Sequence, residues 1–391
     1  MFKLSQRLAP LVVALSLAAC GGSAAPAASS SSAPPAPNSA PAKPSAAASV
    51  AASAPASAKP AVSAAASSPA SAAASAAAKP GTAVEMRIGG IPSSAAAPIL
   101  VPMEDGSFAA RGIKTTFTPV TDTAQAMVSI ASGQLDIGTV TMGPAALNAL
   151  NRGADLVELA SGGVDPPGHG AFAPVVVRSD LVDSGAVKTM ADLKGRKVAL
   201  NGKGVILEYD LYKALALGNL KPADVDVITM PWPDMVVALG TKALDAGLIG
   251  QPLATQAVAK GVGKLLSDDY AQGNQNAVVI TNKKYLTAHP ATLQAFLEVY
   301  VKYIRKLADG AMKKDDAALA ILQKYTKVAP DVMRQAPDQY WPKDARIDAQ
   351  SLQDQQAYLL SVKSVDYTQP LDFGKIIDQT LLEKALKNIG G

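Results

Sequence analysis

The sequence predicts an α/β protein with two doubly wound lobes joined by a hinge, preceded by a long tether. Two observations support this fold class. Extended runs alternate with helical runs from Val84 onward, and the order of these runs recurs from Lys197. Such alternation is typical of a mostly parallel sheet covered by helices. Its recurrence indicates two similar units rather than one large sheet.

Residues 1–20 have the pattern of a targeting segment. Lys3 and Arg7 precede the apolar run Leu8–Ala19, which is too short to span a bilayer as a folded helix. Cys20, the one cysteine of the chain, ends this run in a pattern similar to the bacterial lipobox. We therefore expect lipidation of Cys20 and attachment to a membrane through that lipid. An ordinary signal peptide, in which Cys20 is merely a small residue, is the alternative.

Residues 21–83 consist almost entirely of alanine, serine and proline. Large apolar side chains are too few to offset the entropy of ordering the chain, so a disordered tether is expected. Treated as a flexible coil, it has an end-to-end distance of about 45 Å. An alanine-rich helix is the competing interpretation, but the prolines interrupt any long helix.

The net charge of +4 comes from this N-terminal part, which holds five basic and no acidic residues. The rest of the chain has 31 basic against 32 acidic residues. A near-neutral balance has none of the basic excess typical of nucleic-acid binding, so no nucleic-acid partner is expected.

The first lobe is predicted over residues 84–175. Its alternating runs are "EMRIGGI", "ILVPMEDGSF", "IKTTFTPV", "AQAMVSIASG", "QLDIGTV", "PAALNALNRG" and "LVELASGG". The third strand carries Leu-Asp-x-Gly at Leu135, Asp136 and Gly138.

The second lobe is predicted over residues 176–280. The order recurs in "KVALN", "LEYDLYKALALG", "VDVITM", "DMVVALG", "ALDAGLI", "LATQAVAKG" and "GKLLSDD", and the landmark returns with Asp245. Residues 281–391 read as a helical return that completes the first lobe, with the apolar stripe around Phe296 and Tyr300 in the core. The chain then crosses between lobes near Phe172–Val177 and again near Asn276–Thr281.

The segment "NGKGVILEY" follows a predicted strand and opens a helix. It fits neither a P-loop, because Lys203 is followed by Gly204 rather than a hydroxyl residue, nor a dinucleotide fingerprint, which needs glycine at Leu207. A helix N-terminus with free N–H groups favours an anion or a carbonyl-like acceptor. The alternative is a plain tight turn with Glu208 as a favourable acid in the first helical turn.

Ligands of open α/β sheets bind outside the carboxyl ends of the strands. We therefore expect the two lobes to enclose a small polar solute between hydroxyl, amide and backbone groups at those ends. The candidates are Ser93, Ser94, Thr121, Thr123, Thr141, Asn201, Gly204, Val205, Trp232, Asp234 and Gln251. Each could instead be a cap or turn residue, Asp234 above all. Trp232 could stack on a ligand or pack in the core, and His169 could meet ligand or solvent.

The region Met190–Pro252, "MADLKGRKVALNGKGVILEYDLYKALALGNLKPADVDVITMPWPDMVVALGTKALDAGLIGQP", resembles the NMT1/THI5-like group of solute-binding proteins. This group serves ABC importers of nitrate, taurine, aliphatic sulfonates and thiamine precursors. "ASGQLDIG" at Ala131–Gly138 is also similar, and the resemblance covers roughly residues 85–310. One departure is Gln251-Pro252, where the family often has Glu-Pro, so an amide replaces a charge.

The resemblance implies the type II periplasmic-binding fold and no catalysis, cofactor or metal. We expect a monomeric lipoprotein, in the periplasm or on the outer face of the cytoplasmic membrane, that captures a sulfonate-, carboxylate- or pyrimidine-like solute for an ABC permease. One alternative is a pyrimidine-synthase-like enzyme of the thiamine pathway, against which the scarcity of histidine and cysteine argues. Another is a surface lipoprotein that binds a protein partner.

Overall fold

A computed structural model describes residues 83–165 and 168–390. The predicted targeting segment 1–20 with Cys20, and residues 21–82 of the predicted tether, lie outside the described residues.

The described residues form two five-stranded sheets. The strands are β1 (Val84–Gly90), β2 (Ile113–Pro119), β3 (Ile137–Val140), β4 (Leu156–Asp165), β5 (Val175–Arg178), β6 (Lys197–Leu200), β7 (Asp226–Thr229), β8 (Ala246–Leu248), β9 (Gly263–Ser267) and β10 (Asn274–Asn282). The first sheet has the order β2-β1-β3-β10-β4, and the second has the order β7-β6-β8-β5-β9. In each sheet the fourth strand of the order, β10 or β5, is antiparallel to both neighbours.

Helices cover these sheets. They are α1 (Ala97–Glu104), α2 (Thr123–Ala131), α3 (Pro144–Asn151), α4 (Ser179–Asp183), α5 (Leu207–Ala216), α6 (Trp232–Gly240), α7 (Leu253–Ala259), α8 (Lys283–Ala288), α9 (Pro290–Leu307), α10 (Asp316–Thr326), α11 (Pro330–Gln335), α12 (Ala349–Ser361) and α13 (Thr380–Ile389). We call the first sheet with its helices the first lobe, and the second sheet with its helices the second lobe. The predicted two-lobed α/β fold is confirmed.

The repeated Leu-Asp-x-Gly landmark has the same structural role in both lobes. Asp136 accepts a hydrogen bond from the backbone N–H of Arg87 in β1 at 2.7 Å, and its own N–H donates to the Arg87 carbonyl. Asp245 makes the same pair of bonds with Lys197 in β6, at 2.9 and 3.2 Å. Each aspartate therefore ties one strand to the loop before its parallel neighbour, which explains why the motif recurs.

The chain passes twice between the two sheets. The first passage lies between Asp165 and Val175, and it overlaps the predicted segment Phe172–Val177. The return lies between Ser267 and Asn274, ahead of the predicted Asn276–Thr281, because that predicted segment is part of β10 in the first sheet. We therefore propose that the returning segment begins at Asn274 rather than at residue 281.

The apolar stripe of α9 lies in the core of the first lobe, as predicted. Phe296 is fully buried and stacks on Phe108 with ring centroids 5.1 Å apart, and Tyr300 stacks on Phe296 at 5.9 Å. Burial of an aromatic side chain of this size contributes roughly 1.5–3 kcal/mol to folding. Across residues 83–165 and 168–390, every helix is too short or too polar to cross a membrane.

Candidate functional site

A cavity lies between the two lobes, at the carboxyl ends of their parallel strands. The first lobe contributes Gly89, Gly90, Phe117, Thr139, Thr141 and Gly162, and the second contributes Asn201, Val205, Ile206, Leu207, Asp210 and Trp232. The volume open to the centres of water molecules is about 70 Å³, which exceeds the ~10–15 Å³ that one water needs. The side chains therefore leave space for a small ligand at the carboxyl ends of the strands, where the sequence predicts the site.

Backbone hydrogen bonds join the lobes beside this cavity. The N–H of Ala145, in α3 of the first lobe, donates to the carbonyl of Gly204 at 2.8 Å. The N–H of Ser94 donates to the carbonyl of Gln251 in the second lobe at 3.2 Å. Because both contacts hold backbone against backbone, the structure is a closed arrangement of the two lobes.

Aromatic side chains form much of the cavity wall: Phe117, Phe172, Trp232, Tyr340 and Trp341. Trp232 packs edge-on against Phe172 at 5.7 Å, and its indole N–H donates to the Leu248 carbonyl at 3.0 Å. It therefore packs in the core and also lines the cavity. The indole N–H of Trp341 donates to the Ala95 carbonyl at 3.2 Å.

Thr123, Thr141 and Asn201, three of the predicted polar residues, line the cavity and form no ion pair with any described residue. The hydroxyls of Thr123 and Thr141 are 2.9 Å apart. Asn201 is only 7% exposed, and its carboxamide oxygen has no hydrogen-bond partner among the described residues. An unpaired buried acceptor costs roughly 1–3 kcal/mol. Asn201 therefore places an unsatisfied polar group in the cavity wall.

The turn before α5 differs from the anion seat that its glycines suggested. The N–H of Gly204 donates to the Glu208 carboxylate at 2.6 Å, so the chain itself occupies this donor. Glu208 and Asp210 both lie in the first turn of α5 and offset the positive end of the helix dipole. Gly204 itself has φ +73°, which accounts for glycine at this turn.

Asp210 is the one acidic side chain among the described residues that line the cavity. It is 7% exposed, and its Oδ1 accepts a long hydrogen bond of 3.4 Å from Asn274. Burial, together with the nearby Asp165 carboxylate, raises its pKa well above the usual range. Burial also raises the pKa of Asp165 to about 7. The second-lobe wall therefore holds a carboxyl group that favours its protonated form.

The structure places the predicted site residues in two groups. Ser93, Thr123, Thr141, Asn201, Val205 and Trp232 line the cavity, and Ser94, Thr121, Gly204, Asp234 and Gln251 do not. Thr121 is exposed and bonds to Gln125 near the start of α2. Asp234 is exposed in the first turn of α6, so it acts on the helix rather than on the cavity. The Gln251 side chain accepts from Thr255, and Ser94 contributes its backbone to the lobe contact.

Several cavity residues escaped the sequence analysis. Asp210 had a usable signal, because it lies on the buried face of α5 between Leu207 and Leu211, where an acidic residue is unusual. Tyr340 and Trp341 had none, since they reach the cavity from a loop far along the chain. His169 is exposed and lies 2.9 Å from the Tyr340 hydroxyl, so it contacts a wall residue.

A ligand-sized cavity enclosed by two doubly wound lobes defines the type II periplasmic binding proteins, and this chain has that fold. The chain belongs to the NMT1-like family, whose model matches residues 79–322. An Escherichia coli (strain K12) protein described as aliphatic sulfonates-binding is 27% identical over 254 residues, which cover 63% of this chain and 75% of that protein.

Two solved structures illustrate the likeness in fold. The alkanesulfonate-binding protein SsuA of Xanthomonas axonopodis pv. citri, bound to MOPS, has a TM-score of 0.60 at 20% identity, over 79% of this chain and 99% of that one. The desulfurization enzyme DSZB has a TM-score of 0.54 at 16% identity, over 78% and 99% of the two chains. At these identities the likeness concerns the fold alone.

Proposed function

We propose that this protein is the solute-binding component of an ABC importer, which captures a small organic molecule between its lobes and delivers it to a membrane permease. The observation that carries the proposal is the cavity itself, which is lined from both lobes at the carboxyl ends of their strands. Family membership and the relative described as binding aliphatic sulfonates support it. Capture needs only contacts that both lobes complete on closure, because these shift the population from open to closed.

We further propose that the protein acts outside the cytoplasmic membrane as a lipid-anchored monomer. The apolar run that ends at Cys20 supports the anchor, and the long Ala/Ser/Pro segment 21–83 would let the lobes reach a permease. Metabolic labelling with an alkyne-bearing fatty acid should mark the wild-type protein but not a Cys20→Ser variant. Equal labelling of the two would contradict lipidation at Cys20.

Solution scattering and calorimetry on the purified full-length protein test the capture of a solute. A panel of organic sulfonates, carboxylates, amines and pyrimidines is screened by thermal shift, and each hit is titrated calorimetrically. Binding should be accompanied by a decrease in the radius of gyration as the lobes close. Failure of the whole panel, with unchanged scattering, would contradict the proposal.

An enzymatic function is the alternative, because one of the structural neighbours is a desulfurization enzyme. The same screen separates the two functions, because an enzyme would consume its solute while a binding protein returns it unchanged. Mass spectrometry of each hit after incubation makes this distinction.

A further inference from the structure

We propose that the solute held by this cavity is an organic cation, a protonated amine attached to a flat apolar group, and not a sulfonate. This inference rests on the proposed function, since it names the class of solute for the same site. Three features of the cavity carry it: its aromatic walls, its buried carboxyl group Asp210, and the lack of a cationic side chain among the described residues that line it.

Five aromatic side chains line the cavity, as described above. The indole N–H groups of Trp232 and Trp341 are both bonded to backbone carbonyls, as described above. A cation over such a ring face is attracted by the ring quadrupole, and tryptophan gives the strongest attraction. Flat apolar groups pack on the same surfaces, because burial there removes apolar area from water.

Two buried polar side chains of the second lobe, Asn201 and Asp210, line the cavity. The Asn201 carboxamide oxygen has no partner among the described residues, and Asp210 has one long hydrogen bond from Asn274. Both are more than nine-tenths buried. An ammonium group has three donors and no acceptor, so it can donate to the Asp210 carboxylate.

The charges of the lining argue against a sulfonate. None of the described residues that line the cavity is lysine, arginine or histidine. The Gly204 N–H, the donor best placed for an anion by sequence, is held by Glu208. A sulfonate would therefore be buried beside Asp210 without a cation, and burial of an unpaired charge is strongly unfavourable.

The groups around Asp210 predict how binding and protons are linked. Asp165, Tyr209 and Tyr270 surround it, and Lys213, one turn along α5, is the neighbouring cation and is exposed. Burial and then the Asp165 carboxylate raise the Asp210 pKa, while the Asn274 hydrogen bond and the Lys213 ammonium oppose that rise. An ammonium partner stabilises the ionised carboxylate, so its binding at neutral pH should release a proton.

Three probes that share one ring test the inference on the full-length protein: benzylamine, benzyl alcohol and benzenesulfonate. Calorimetry should give a dissociation constant for benzylamine at least about tenfold lower than for benzenesulfonate. Titration in two buffers of different ionisation enthalpy should show proton release with benzylamine but not with benzyl alcohol. Asp210→Asn should weaken benzylamine binding roughly thirtyfold and leave benzyl alcohol within a few-fold.

The control is Asp226→Asn, which removes an exposed carboxylate from the same lobe and should change nothing. Circular dichroism checks the fold, and Asp210→Ser replaces Asp210→Asn if the latter unfolds. Benzenesulfonate binding as tight as benzylamine, or benzylamine binding unchanged in the Asp210 variant, would overturn the inference while solute capture stands. If none of the three probes binds, the inference is also overturned. The capture of a solute is then tested separately by the thermal-shift panel and solution scattering described above.

Discussion

Replacing Gly143 with alanine tests whether contact between the lobes closes the cavity. Gly143 precedes α3 with φ −79° and ψ 179°, values that alanine adopts without strain. A Cβ added there would lie 2.3 Å from the carbonyl carbon of Val205 and from the amide nitrogen of Ile206. Ordinary Cβ contacts begin near 3.4 Å, so the lobes must separate by roughly 1 Å.

Overpacking of this kind costs about 1–3 kcal/mol, and here the cost falls on the closed state alone. Since each 1.4 kcal/mol is a factor of ten, the dissociation constant for a solute identified by the panel should rise roughly 5- to 150-fold. The unfolding temperature without solute should stay near that of the wild type, because the open protein accommodates the methyl group.

Isothermal calorimetry measures the affinity, and solution scattering measures the compaction that the solute induces. Gly240→Ala is the matched control, since its added methyl group meets only the Val262 side chain, at 3.2 Å, within the second lobe. Unchanged affinity and unchanged compaction in Gly143→Ala would refute closure through this contact.

Three further outcomes test the interior of the lobes. Burial raises the pKa of Glu158 to about 8, so the folded protein keeps a proton that the unfolded chain loses above pH 4.5, and the free energy of unfolding falls as pH rises between these values. Glu158→Gln should reduce the slope of that free energy against pH by up to about 1.4 kcal/mol per pH unit in urea unfolding. An unchanged slope would contradict this expectation. Trp232→Phe leaves the Leu248 carbonyl without its donor and should cost about 1–3 kcal/mol by the same method, whereas wild-type stability would show that this bond contributes nothing. Phe296→Ala opens the stack on Phe108 and should cost roughly 3–5 kcal/mol in thermal unfolding, and a loss below 1 kcal/mol would contradict tight packing there.

The lobes were readable from the sequence because their elements are local. Each strand that has a parallel neighbour is followed by a helix, and the repeated aspartates mark equivalent loops, as Asp136 and Asp245 show. The antiparallel strands β5 and β10 were not recognised. Their apolar parts, Val175–Val177 and Ala277–Ile280, are buried between two neighbouring strands, and such runs lack the alternation that identifies a half-exposed strand.

The sequence predicted where the candidate site lies but only some of the residues that line it. Strand ends led to Ser93, Thr141 and Asn201, which line the cavity because topology alone brings them to the cleft. The same rule included Thr121 and Asp234, whose polar groups serve helix starts instead. No local pattern distinguishes a hydroxyl or carboxylate that faces a ligand from one that faces its own backbone.

The turn between Asn201 and Ile206 connects recognition to closure. Asn201 and Val205 line the cavity, while Gly204 accepts a hydrogen bond from Ala145 across the lobes. A solute that contacts Asn201 therefore stabilises the same turn to which the first lobe is hydrogen-bonded in the closed arrangement. Because a ligand shifts a conformational equilibrium only by its differential affinity for the two states, the contacts that matter are those completed when this turn meets α3. Affinity in this protein should accordingly respond to substitutions at the lobe contact as strongly as to substitutions in the cavity wall.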